Sequence, residues 1–291
     1  MIEEHQPLNE DRLFIGLDDI GAFFRRHALK LVACAAIGAS AALASTWAMS
    51  PLWQAKTTVQ NGQLYLVTST GPTVVNIEPP ARTVDRIKVA SFQDNVLKQL
   101  SLPVDEGASA ETDLIRRSFE VRLLRNSDLI ELSVRGYSPA NASRILQQYV
   151  RSLIEEHGYL AKPTLERLSE EMRQVQADLS AAQARQSELA KQSRERYQVN
   201  IAGKFSENVL LDNMLSTNAA DVRLLQQRRN TLQEQLNPER TFNTRMIGET
   251  EISREPVFPK RSPFAVSGGL IGLLLGLIWT VWRTNRQKTV K

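Results

Sequence analysis

The chain has 291 residues, with 36 Lys and Arg against 32 Asp and Glu and a formal charge of +4. So diffuse a positive balance is only weak support for a nucleic-acid partner, and none is expected; it suits a membrane orientation signal better. Cys34 is the single cysteine, which excludes an intrachain disulfide or a cysteine-based metal site.

Residues 1–30 are expected to form a cytoplasmic arm. Within it, Asp18-Asp19-Ile20-Gly21-Ala22-Phe23-Phe24 puts acids where the first turn of an interfacial helix takes them. No charge occurs from Leu31 to Trp53. Residues 31–50 are predicted as the first transmembrane helix, because about 20 apolar residues cross roughly 30 Å of hydrocarbon. The same region resembles a secretory signal with a cleavage site at Ala42-Leu43-Ala44. The acids ahead of it (Glu3, Glu4, Glu10, Asp11, Asp18 and Asp19) favour a retained anchor, and the sequence leaves cleavage open.

Residues 51–162 read as a membrane-proximal α/β module. Ala55–Val67 is rich in strand formers, and Asn61-Gly62 permits a bulge or turn within it. Thr83–Leu100 spaces Val84, Ile87, Phe92, Val96, Leu97 and Leu100 as a helix would. Phe119–Leu124 and Ile130–Arg135 flank Arg125-Asn126-Ser127-Asp128 as a β-hairpin, with Ile130, Leu132 and Val134 alternating with polar residues. Ser138 then suits a helix cap and Pro139 the first helical position. Ile145, Leu146, Tyr149, Val150, Leu153 and Ile154 supply that helix with one apolar face.

Residues 163–238 are predicted as an extended helical arm, with Pro163 marking its start. Leu165, Leu168, Met172, Val175, Leu179, Ala182 and Leu189 alternate at spacings of three and four, the pattern of a coiled-coil seam, with Gln186 as a polar interruption. Gly203 offers a turn. Leu211, Leu215, Val222, Leu225, Leu232 and Leu236 resume the seam, with Asn218 and Arg229 at seam positions. An ordinary amphipathic helix pair packed on the module would leave a similar pattern.

Residues 239–261 are expected to hold a return strand and a proline-spaced segment, Pro256, Pro259 and Pro263 favouring stiff extended chain. Residues 262–282 are predicted as the second transmembrane helix and residues 283–291 as a cytoplasmic basic tail. The 4 tryptophans, Trp47, Trp53, Trp279 and Trp282, all flank the two apolar stretches, where amphipathic rings favour the membrane boundary. Arg25, Arg26 and Lys30 before the first stretch, and the basic tail after the second, place both termini in the cytoplasm by the positive-inside rule. Lys260 and Arg261 argue the other way and are outnumbered.

No phosphate-cradling G-x-x-x-x-G-K-[ST] loop occurs. His5, His27 and His157 lie in different regions, and His157 reads as part of a polar helix end. No enzyme activity, cofactor or metal is expected. Gly268, Gly272 and Gly276 recur every fourth residue, a strip that lets helices approach closely and is a candidate for oligomerisation.

This arrangement resembles the Wzz-type chain-length determinant family, the polysaccharide co-polymerases of bacterial inner membranes. The residues that carry the resemblance are Pro51-Leu52-Trp53-Gln54-Ala55-Lys56, then Leu129-Ile130-Glu131-Leu132-Ser133-Val134-Arg135-Gly136-Tyr137-Ser138-Pro139-Ala140-Asn141-Ala142, and Pro256-Val257-Phe258-Pro259-Lys260-Arg261-Ser262-Pro263. The helical region is shorter than in many members, and the cytoplasmic tyrosine-kinase domain of some relatives is not expected after the second anchor. The resemblance implies a two-pass inner-membrane protein with its central region in the periplasm. It implies a homo-oligomeric ring that controls how many sugar repeats a partner polymerase adds to a lipid-linked glycan, or that helps export a surface polysaccharide such as O-antigen, capsule or exopolysaccharide. Two other classes compete: a periplasmic coiled-coil adaptor of a secretion system, and a two-pass membrane sensor.

Overall fold

The computed structural model describes residues 17–125, 127–198 and 205–288. They fall into two compact units, one made of residues 17–52 and 255–288 and the other lying within residues 53–254.

The first unit is built on two helices, α1 (Leu17–Trp47) and α7 (Arg261–Lys288). Each contains an apolar span, Arg25–Trp47 and Arg261–Thr280, with a mean hydropathy of 1.7. Leu29, Val32 and Ile37 of α1, and Leu270, Leu274 and Ile278 of α7, point outward and are exposed. Large apolar side chains on an outer surface are costly in water and favourable in lipid, so this is the surface of a membrane-embedded pair. The helix start expected near Asp18 is the beginning of α1 itself, which runs on unbroken through Ala42-Leu43-Ala44. Trp53 opens a strand rather than closing α1.

The second unit is an α/β module with a long helical hairpin. Its main sheet has the order β4-β5-β1-β6, comprising β4 (Glu120–Leu123), β5 (Leu129–Gly136), β1 (Trp53–Gln60) and β6 (Arg245–Ile252). Every pairing is antiparallel, and β1 lies between β5 and β6 with Val59 opposite Ile130 and Met246. The hairpin expected around residues 125–128 and the return strand expected within residues 239–261 are both present. Asn61-Gly62 does more than bend a strand. There the chain leaves the main sheet, and β2 (Gln63–Thr68) pairs with β3 (Gly71–Asn76) in a sheet of their own.

Helices cover one face of the main sheet. The stretch expected as a single helix over Thr83–Leu100 is two, α2 (Pro80–Lys88) and α3 (Ala90–Gln99), because Val89 takes an extended conformation between them. Then comes α4 (Ala110–Ser118), whose N-cap Ser109 accepts the N–H of Glu111 at 3.2 Å. The core joins Ala55, Val59, Ile130, Leu132 and Val134 of the sheet to Ile87, Phe92, Val96, Leu97 and Ile115 of these helices. From α5 (Pro139–Gln198) come Ile145, Leu146, Tyr149 and Leu153, all fully buried, as the apolar face predicts. Ser138 caps α5 by accepting the Asn141 N–H at 3.1 Å, with Pro139 at the first position. Gly136 is required at this corner, since a Cβ would meet the backbone nitrogen of Ala142 at 2.7 Å.

At 60 residues α5 is one helix, about 90 Å long at 1.5 Å per residue. Pro163 therefore opens no new element. It sits inside α5, exposed, where the N–H it lacks would have bonded the carbonyl of Tyr159 on the solvent side. Helix α6 (Phe205–Gln235) returns antiparallel beside α5. The seam closes as Leu168 and Val175 against Leu232, and Leu179 and Ala182 against Val222, with Leu225 bridging both groups. Asn218 is buried and donates its side-chain amide to the Ala182 carbonyl at 3.0 Å. Leu66 of β2 packs on the Leu168 group, so the near end of the hairpin leans on the module. Gly203, the expected turn, lies outside the described residues.

Candidate functional site

The six residues singled out by sequence all belong to the membrane unit. Gly268, Gly272 and Gly276 line one face of α7, and that face lies against α1 of the same chain. A Cβ on Gly272 would meet Gly38 Cα at 3.1 Å, and one on Gly276 would meet Cys34 Cβ at 2.9 Å. A Cβ on Gly268 would run into Ala42 Cβ, and one on Gly38 would lie 2.9 Å from Gly272 Cα. The strip offered by sequence to a neighbouring chain is thus filled from within. Its partner was legible but unread, because Cys34, Gly38 and Ala42 also recur every fourth residue and give α1 a small-residue face of its own.

Pro256 and Pro259 lie in the segment ahead of α7, which bends at Val257 and Pro259 rather than running straight as expected, and Pro263 lies in the helix's first turn. A proline costs nothing in a first turn, since the N–H it lacks would have no partner there. Between the first two prolines, Val257 donates its N–H to the Leu52 carbonyl at 2.8 Å, and Leu52 donates to the Phe258 carbonyl at 2.9 Å. The two ends of the membrane unit are therefore clasped by backbone pairing at Leu52 and Phe258. Beside this clasp is an open cleft of about 850 Å3, lined by Trp47, Met49, Pro51, Pro256, Pro259 and Lys260 among others.

Sequence reasoning missed a second constellation, a buried polar junction in the α/β unit. Glu78 precedes α2 and is only 3% exposed. Arg86, two turns along α2, clamps it in a fork: Nη2 donates to Oε1 at 2.7 Å and Nε to Oε2 at 3.0 Å. The remaining terminal nitrogen of Arg86 donates to Glu156 of α5 at 2.7 Å. His157 follows, fully buried, with Nε2 lying 3.5 Å from Glu78 Oε2, a close polar approach rather than a hydrogen bond. Its Nδ1 meets the hydroxyl of Thr244, just before β6, and that hydroxyl already accepts the N–H of Gly62 at 2.9 Å. The Thr244 proton is then free to point at Nδ1, which suits the neutral ring protonated on Nε2. Asn61 completes the junction by donating to the Glu78 carbonyl and accepting from Thr83 at 3.3 Å.

Gly62 lets these strands meet, because a Cβ there would strike Thr244 N at 2.7 Å. The polar helix end expected for His157 is therefore a buried position within α5, and its neighbours come from residues far away in sequence. Burial opposes the charged form of Glu78, but the hydrogen bonds and charge of Arg86, helped by His157, outweigh it and hold the carboxyl below its usual range. Burial lowers the His157 pKa and the charge of Glu78 pulls it back only in part. The arrangement fastens α2, α5, the β1–β2 joint and the start of β6. It has the form of a structural lock, with no exposed nucleophile and no open coordination position. Among the described residues, no three His, Cys, Asp or Glu side chains converge as a metal set would.

No family model matches the chain, and no curated protein matches it. Among solved structures, it is similar to a full-length bacterial polysaccharide co-polymerase, with a TM-score of 0.42 and 11% identity over 94% of this chain and 99% of that one. It is also similar to a point mutant of the Shigella flexneri lipopolysaccharide O-antigen chain-length regulator WzzBSF, with a TM-score of 0.23 and 10% identity over 72% of this chain and all of that one.

Proposed function

We propose that this chain is an inner-membrane scaffold of the Wzz type that regulates the chain length, or the export, of a surface polysaccharide. The observation that carries the reading is the architecture set by the sequence. Two apolar helices bracket one α/β unit whose longest feature is a helical hairpin, and the junctions bear the motifs at residues 51–56, 129–142 and 256–263. Such a protein makes and breaks no bonds itself. It acts by holding a polymerase and its lipid-linked glycan in register on a homo-oligomer, with the central unit in the periplasm and both termini in the cytoplasm. The buried junction suits this role, since a scaffold needs a stiff base more than a reactive group.

The decisive experiment is removal of the gene from its bacterium, followed by separation of the surface glycans on a gel. A changed modal length or a changed amount is expected. An unaltered profile in both respects overturns the proposal. A reporter fused after Lys291 is expected to be active only in its cytoplasmic form.

A further inference from the structure

Between α3 and α5 lies an open cleft of about 500 Å3. That is within the range of roughly 300–1,000 Å3 typical of small-molecule sites. Its two long walls are helix faces. Ser152, Glu155, Glu156 and Tyr159 fall on one side of α5, Asn95 faces them from α3, and Arg86 of α2 stands at the end.

Three features distinguish the cleft from an accidental groove. Arg86 and Glu156 are fixed before any ligand arrives, because Glu78 holds the guanidinium in a two-bonded fork and the guanidinium holds Glu156. Pre-ordered polar groups bind without the entropy loss of ordering them. Ser152 is 4% exposed and donates its hydroxyl to Gln99 at 2.8 Å, which leaves its lone pairs to accept. Tyr159 is 77% exposed, a large ring left in water at the mouth of the cleft.

The chemistry selects the ligand class. Carboxylates accept from hydroxyls, while a guanidinium and an amide donate to them. An uncovered aromatic ring can lie against the C–H face of a sugar. One cation and two carboxylates, one of them already paired, give no strong field for a phosphate or a nucleic acid.

We propose that this cleft binds a saccharide, a short stretch of the polysaccharide whose length or export the protein regulates. The inference rests on the function proposed above and adds a contact site for the glycan. The test uses the full chain in lipid nanodiscs and, as probe, oligosaccharides released by mild acid from the surface polysaccharide of the same bacterium. Saturation transfer from protein to sugar protons reports binding. Wild-type protein is expected to transfer saturation, Tyr159→Phe to keep it, and Tyr159→Ala to weaken binding about tenfold, the scale of one lost aromatic contact. Asn95→Leu, on a separate exposed helix face, is expected to weaken it as well, with thermal unfolding of both variants unchanged. Absence of transfer to wild type, or equal binding by wild type, Tyr159→Ala and Asn95→Leu, overturns the inference. Either result beside an altered glycan profile in the deletion strain removes the cleft alone, whereas an unaltered profile removes the regulatory reading.

Discussion

Arg86 and His157 decide how the α/β unit responds to mutation and to acid. Removing Arg86 leaves the Glu78 carboxylate buried without its cation, which typically destabilises a protein by about 3 kcal/mol or more. Arg86→Ala is therefore expected to lower the unfolding midpoint in denaturant strongly, and adding Glu78→Gln should recover part of the loss by removing the stranded charge. Acid acts through the same pair. In the unfolded chain His157 takes up a proton near its ordinary 6.5, whereas burial holds the folded ring lower. A depressed folded pKa contributes stability that is complete above 6.5 and declines as pH falls toward the folded value. Glu78, also held low, adds a second loss that begins as pH falls through its ordinary 4.5. His157→Gln, which keeps a hydrogen-bonding group for Thr244, should flatten the fall in melting temperature between about pH 7 and pH 5. An equal slope in both proteins would sink this account.

At the scale of elements, the helix pair of the membrane unit and the hairpin of the other unit solve the same problem differently. In the hairpin, Leu168, Val175, Val222 and Leu232 interlock as apolar knobs, and Asn218 fixes the register by bonding the Ala182 carbonyl. In the membrane no hydrophobic gain separates helix from lipid, so contact comes from small residues that let backbones touch. Gly276→Cys places a thiol beside Cys34, so mild oxidation is expected to give an intrachain cross-link that runs as a monomer on a gel. A cross-linked dimer instead would return the strip to neighbouring chains. Gly272→Leu should loosen the pair by about 1–3 kcal/mol through overpacking, read as a lower melting temperature in mild detergent. Most elements were legible: the β-hairpin before α5, the cap at Ser138, the return strand and the heptad seam all follow from local periodicity. Pro163 misled because a proline's cost depends on where its missing bond would point, and on the exposed side of α5 that cost is small. Helix α4 escaped notice because only Thr112 and Ile115 of it are buried, too few to set a period.

At the scale of the whole molecule, residues 53–254 carry their own core, running from Ala55 and Val59 of β1 to Leu153 of α5. The segment from Trp53 to Arg254, expressed alone, is expected to be soluble and to unfold cooperatively. A molten segment would show that the anchors take part in folding the core.

The sequence by itself determined which stretches are apolar enough to cross a membrane, which residues alternate in strands and which line the seam, since charge and period are local properties. It also identified the glycines that allow close helix contact. Only the tertiary structure decided what those glycines touch, because a strip of small residues does not reveal whether its partner comes from the same chain. The lock of Glu78, Arg86, Glu156 and His157 likewise needed the fold. Its groups lie up to 79 positions apart in sequence and are brought together by the turn at Gly62 and the long reach of α5. Packing gives each of them its partner, and packing is a property of the whole unit.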